Sequence, residues 1–95
     1  MITSKQRAKL RGLANPIPTI FQIGKDGVGD NLIKQLDDAL EARELVKIHI
    51  LDSSFLDPKE TLSVLCEELG AEPVQTIGSR IVLYRASKEH KTIEI

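Results

Sequence analysis

The sequence predicts an α/β domain in the order α-β-α-β-α-β-β, folded as one mixed four-stranded sheet with three helices. Three observations predict it. Apolar residues recur at helical spacing in three stretches, and β-branched or alternating runs mark four short strands. Strand–helix–strand units favour right-handed parallel crossovers. A two-residue Gly78-Ser79 connection near the end favours an antiparallel hairpin. A chain of 95 residues fits one domain, placed at residues 1–85, with a charged tail at 86–95.

The elements follow in order. Thr3 and Gln6 form a capping-box pattern that opens a helix ending near Leu13, before Asn15-Pro16-Ile17-Pro18, where the prolines forbid continuation. Leu10 and Leu13 centre its apolar stripe, with Lys9 on one flank and Arg7 and Arg11 on the other. Residues 19–23 form a β-branched and aromatic strand. A glycine-rich loop follows at 24–29, and Asp30 is placed to cap a second helix bearing Leu32, Ile33, Leu36, Ala39 and Leu40 on one face. Residues 45–51 alternate as a strand, with Val46, Ile48 and Ile50 opposite Lys47 and His49. Asp57, Pro58 and Glu60 open a third helix, whose Leu62, Leu65, Cys66 and Leu69 face the core and which stops at Gly70. Residues 73–77 and 80–85 are the hairpin strands. Apolar residues on both faces of residues 19–23 and 81–84 predict that both sheet faces are partly covered.

Charge gives the first functional indication. Thirteen Lys and Arg against 14 Asp and Glu give a net charge of −1, which by itself argues against a nucleic-acid binder. The distribution reverses that argument. Residues 1–25 carry five cations and no acid, residues 26–72 carry 12 acids and four cations, and residues 73–95 carry four cations and two acids. Such asymmetry points to a localised charged contact. The single Cys66 excludes an internal disulfide framework and a four-cysteine zinc site. No apolar run approaches membrane-spanning length, and residues 1–13 lack a signal-peptide core, so the expectation is a cytoplasmic protein with no membrane partner.

Among motifs, Gly24-Lys25-Asp26-Gly27 is the sharpest. A GxxG loop between strand and helix lets backbone amides approach a phosphate, with Lys25 adding a mobile charge. It is neither a P-loop nor a dinucleotide fingerprint, so no nucleotide cofactor is expected. Cys66 reads as core and Asp37, Asp38 and Glu41 as a solvated face, while His49 and His90 share no metal spacing with the cysteine. No catalytic or metal-binding constellation is predicted, hence no enzyme. Aromatics at 3% and no tryptophan disfavour a broad stacking platform. A competing expectation is a protein-interaction module using the acidic helix Asp30–Arg43.

Taken together, Ile23-Gly24-Lys25-Asp26-Gly27, Glu44-Leu45-Val46-Lys47 and the run Ile77-Gly78-Ser79-Arg80-Ile81-Val82-Leu83-Tyr84-Arg85 resemble the chloroplast RNA splicing and ribosome maturation (CRM) domain family, in its stand-alone bacterial YhbY-type form. The resemblance runs from about Thr3 to Arg85. It implies a fold like the C-terminal domain of translation initiation factor three, and RNA as the partner, in particular ribosomal RNA of large-subunit precursors, bound by a monomer. By matching positions it implies an RNA-contacting loop of Gly24, Lys25, Asp26 and Gly27. It also implies Lys5, Arg7, Lys9, Arg11, Arg80 and Arg85 as accessory contacts. Asp26 beside Lys25 departs from a purely cationic loop, and the ending Ile93-Glu94-Ile95 departs from the apolar-proline ending of relatives.

Overall fold

Helix α1, Ser4–Ala14, starts on the reciprocal Thr3/Gln6 capping box, both halves of which are formed. The computed structural model describes residues 2–95. The remaining elements are β1 (Phe21–Ile23), α2 (Asp30–Arg43), β2 (Leu45–Ile50), a 3-10 turn at Asp52–Ser54, α3 (Pro58–Leu69), β3 (Glu72–Ile77) and β4 (Arg80–Tyr84). Asp57 caps α3 by accepting from the Glu60 amide, and Gly70 ends it with φ 66°. The sheet order is β1-β2-β4-β3, with β1 and β2 parallel and the other two pairs antiparallel. The predicted mixed four-stranded sheet with three helices is the observed fold. Strands β1, β2 and β3 therefore finish at one end of the sheet, where β4 begins.

Alternation along the strands builds two cores on opposite faces. On one face Ile23, Val46, Ile48, Ile50, Ile81 and Leu83 pack under Leu36 and Leu40 of α2 and the Leu62, Leu65, Cys66 and Leu69 stripe of α3. On the other, Leu45, Val74, Val82 and Tyr84 meet Leu10 and Ala14 of α1. Three helices thus divide one against two. Proline at position 73 is tolerated because β3 is an edge strand, and its ladder shifts register between Pro73 and Gln75. The radius of gyration, 12.4 Å, is that of a compact domain of about this length. Among the described residues no helix is long and apolar enough to cross a membrane.

The structure corrects several details. Leu13 is 42% exposed, and Ala14 instead joins Leu10 in the core. At 100° per residue, position 14 lies about 40° from Leu10 and position 13 about 60° away, and the small Ala14 lets the helix approach the sheet. Gly29, not Asp30, occupies the N-cap of α2, with no side-chain cap bond; Asp30 is the first helical residue. Strand β1 starts at Phe21, although the Ile20 amide still donates to the Lys47 carbonyl at 3.2 Å. Residues 86–95 are charged but packed down. Glu44 accepts from the amides of Ser87, Thr92 and Ile93, Glu41 accepts from Lys88, Glu89 and the Ser87 hydroxyl, and Ile93 and Ile95 pack against the α1 core.

Candidate nucleic-acid interface

The Gly27 amide donates to the Gly24 carbonyl at 2.9 Å, closing a turn with Lys25 and Asp26 exposed at its tip. Gly27 has φ 66°, where an L side chain is strained, so glycine is required there by the backbone. Gly24 has no such need. A Cβ at Gly24 would lie 3.7 Å from Leu51 Cδ1 and 3.9 Å from Ser53 Oγ, in ordinary contact. That proximity, with the Leu51 amide bonded to the Ile23 carbonyl at 2.9 Å, sets the β2–α3 connection beside the glycine turn. The β3–β4 hairpin joins them, because the Ile50 amide donates to the Ser79 carbonyl at 2.7 Å. Three connections therefore crowd one end of the sheet.

Strand register adds a row of side chains that includes Arg80 next to this end. Gln22 pairs with His49, His49 with Arg80, and Arg80 with Ile77, so these four side chains share the α1 face of the sheet. Lys47 precedes them by one step on that face, its Nζ 3.4 Å from the Asn15 carbonyl at the end of α1. Helix α1 covers Leu45, Val74, Val82 and Tyr84 and leaves this row open; Gln22, Arg80 and Ile77 are exposed and Lys47 and His49 half-buried. Lys47 and His49 are absent from the site that the sequence predicts. Lys47 closes the Glu44-Leu45-Val46-Lys47 motif, whereas His49 is marked only by its alternation with Ile48 and Ile50.

The remaining expected site residues separate. Lys5, Arg7, Lys9 and Arg11 lie on α1, hence on the same face as the row. The Ile2 amide donates to Glu72 Oε1 at 2.9 Å and Arg7 Nε to the Pro73 carbonyl at 3.0 Å, so the start of α1 lies over the beginning of β3, away from the glycine turn. Lys5 and Lys9 are exposed beside Ile95, and Arg11 is half-buried. Arg85 follows the far end of β4 on the other face. It pairs with Asp37 at 2.6 Å and donates to the Leu69 and Asp37 carbonyls at 3.0 and 2.9 Å. It binds α2 and the C-terminus of α3 to the sheet, and its guanidinium is occupied within the fold. Among the described residues this is the only ion pair, so neither Lys25 nor Arg80 is in salt-bridge contact with a carboxylate. Asp26 does not cap α2.

Cys66 is a free, buried thiol, its pKa pushed up to about 11 by burial and by Glu72. Among the described residues no three His, Cys, Asp or Glu side chains converge as a metal site.

The architecture is that of a small α/β binding module presenting a two-glycine turn and a cationic sheet face at one end. The chain belongs to the CRS1 / YhbY (CRM) domain family, whose profile matches residues 2–85. It is 47% identical to the probable RNA-binding protein YqeI of Bacillus subtilis (strain 168), covering 100% of this chain and 99% of that one. It is 30% identical to an RNA-binding protein of Haemophilus influenzae, over 95% of this chain and 91% of that one. The solution structure of the Staphylococcus aureus protein SAV1595 matches with a TM-score of 0.80 and 50% identity, covering 100% of this chain and 99% of that one.

Proposed function

We propose that this protein binds RNA through the glycine turn and the adjoining sheet face, and that its RNA is ribosomal RNA in precursors of the large subunit. The observation that carries the reading is the convergence of Gly24, Lys25 and Gly27 with Lys47, His49 and Arg80 at one end of the sheet. Backbone amides of the turn and the first turn of α2, which has no side-chain cap bond, face phosphates, and Lys25 and Arg80 add charge. Relatives named as RNA-binding proteins support the RNA class. The resemblance to stand-alone bacterial CRM proteins supports the ribosomal assignment, a cytoplasmic monomer and a role in binding rather than catalysis. Docking of a protein partner on α2 is less well supported, because Asp37, Glu41 and Glu44 are consumed by Arg85 and the tail.

Ultraviolet crosslinking in cells, with sequencing of the bound RNA, tests the assignment. Enrichment of large-subunit precursor RNA over mature ribosomal RNA, with crosslinks at residues 22–27 and 77–80, is expected. Reads that merely follow RNA abundance would contradict it.

A further inference from the structure

Among the described residues Phe55 is the most exposed large apolar residue, at 95%. It also has φ 59°, a left-handed conformation that non-glycine residues rarely adopt. Glycine or asparagine would relieve both penalties, so nothing about stability accounts for phenylalanine here. The position is nevertheless firmly built. The Phe55 amide donates to the Asp52 carbonyl at 3.1 Å, Ser54 Oγ donates to the Leu51 carbonyl at 2.7 Å and accepts from the Leu56 amide at 3.1 Å, and Leu56 is packed against the core. A rigid turn thus holds an aromatic ring out in solvent.

Its place is informative. The turn continues from Leu51 and Ser53, the residues that border Gly24. It leaves β2, which lies between the strand that ends in the glycine turn and the strand that begins with Arg80. We infer that Phe55 stacks on an unpaired base of RNA whose backbone is held by the glycine turn. The inference rests on the proposed RNA-binding reading and extends it: the ligand has a single-stranded element at this end of the sheet. Carboxylates nearby in sequence fit an uncharged contact. Asp57 is turned to its own helix as the α3 cap, and Asp52 disfavours a further phosphate rather than a base face. One ring provides one stacking position, which is tolerant of base identity because every base has a π-face.

The test uses the full chain with fluorescein-labelled single-stranded oligo(A) of twelve nucleotides and with total ribosomal RNA, at low salt. Phe55→Ala and Phe55→Leu should each weaken oligo(A) binding by about five- to a hundred-fold, the usual worth of one stacked base. Phe55→Trp should retain affinity, and its fluorescence, the only tryptophan signal in the chain, should be quenched on binding. Phe55 variants lie on the surface, and matching thermal unfolding controls their folding. Wild-type affinity in Phe55→Ala, full affinity in Phe55→Leu, an unquenched Trp signal, or failure of the wild type to bind oligo(A) while it binds ribosomal RNA would each overturn stacking and leave the RNA-binding reading standing. Wild-type protein that binds neither RNA would overturn both.

Discussion

Glu44 combines a positive φ of 66° with complete burial, and its carboxylate collects the amides of Ser87, Thr92 and Ile93 together with the Thr92 hydroxyl. Burial alone would raise its pKa, but these donors outweigh it and hold the group below its ordinary value of 4.5. Glu41 is held at about 2, chiefly by the Lys88 amide and the Ser87 hydroxyl. Both pKa values are depressed on folding, so their contribution is complete above pH 4.5 and declines as the pH falls below it, for Glu41 through about 2. Hydrogen exchange should therefore find the Thr92 and Ile93 amides equally protected from about pH 8 to about pH 5 and progressively released in stronger acid. Glu44→Gln sets an amide donor against backbone donors and should cost about 1–3 kcal/mol in denaturant unfolding; an unchanged midpoint would refute the anchoring role. The two arginines of β4 and its end make an opposed pair. Arg85→Ala should lower stability by about 1–3 kcal/mol with RNA affinity intact, whereas Arg80→Ala should weaken RNA binding with stability intact. The opposite pattern would reverse their assignments.

At the scale of elements, the glycine turn separates two roles that its pattern presents as one. Gly27→Ala should destabilise by roughly 1 kcal/mol through its positive φ. Gly24→Ala meets only ordinary contacts, so calorimetry should show little change while RNA affinity falls, because the added Cβ obstructs backbone approach. If Gly24→Ala binds RNA as the wild type does, close approach at that point is not part of the interface. Local signals make the elements legible: the Thr3 box, Asp57-Pro58, Gly70 and Gly78-Ser79 all mark boundaries within a residue or two of those observed. Features that are long-range or fine in phase escape such signals. The tail is fixed by residues more than 40 positions away, and no local pattern reports that. Leu13 against Ala14 turns on a small difference in helical angle. At the site, the turn and Arg80 are readable, but joining them to Lys47 and His49 requires strand register.

Across the whole molecule, the segmental charge of the chain becomes a charge difference between faces. The cation-rich α1 lies on one side of the sheet with Lys47 and Arg80, while α2 and α3, which carry much of the acidic middle, lie on the other. A near-neutral protein of this kind is steered to polyanions by one side only. The most direct test of the account is the affinity for ribosomal RNA as a function of salt, for the wild type and for the Lys25→Ala/Arg80→Ala double variant. Every phosphate left without its cation lowers the log–log slope by about 0.7–0.9. The double variant should therefore bind more weakly at moderate salt, with a slope shallower by about 1.4–1.8. Full affinity and an unchanged slope in the double variant would contradict the proposed interface.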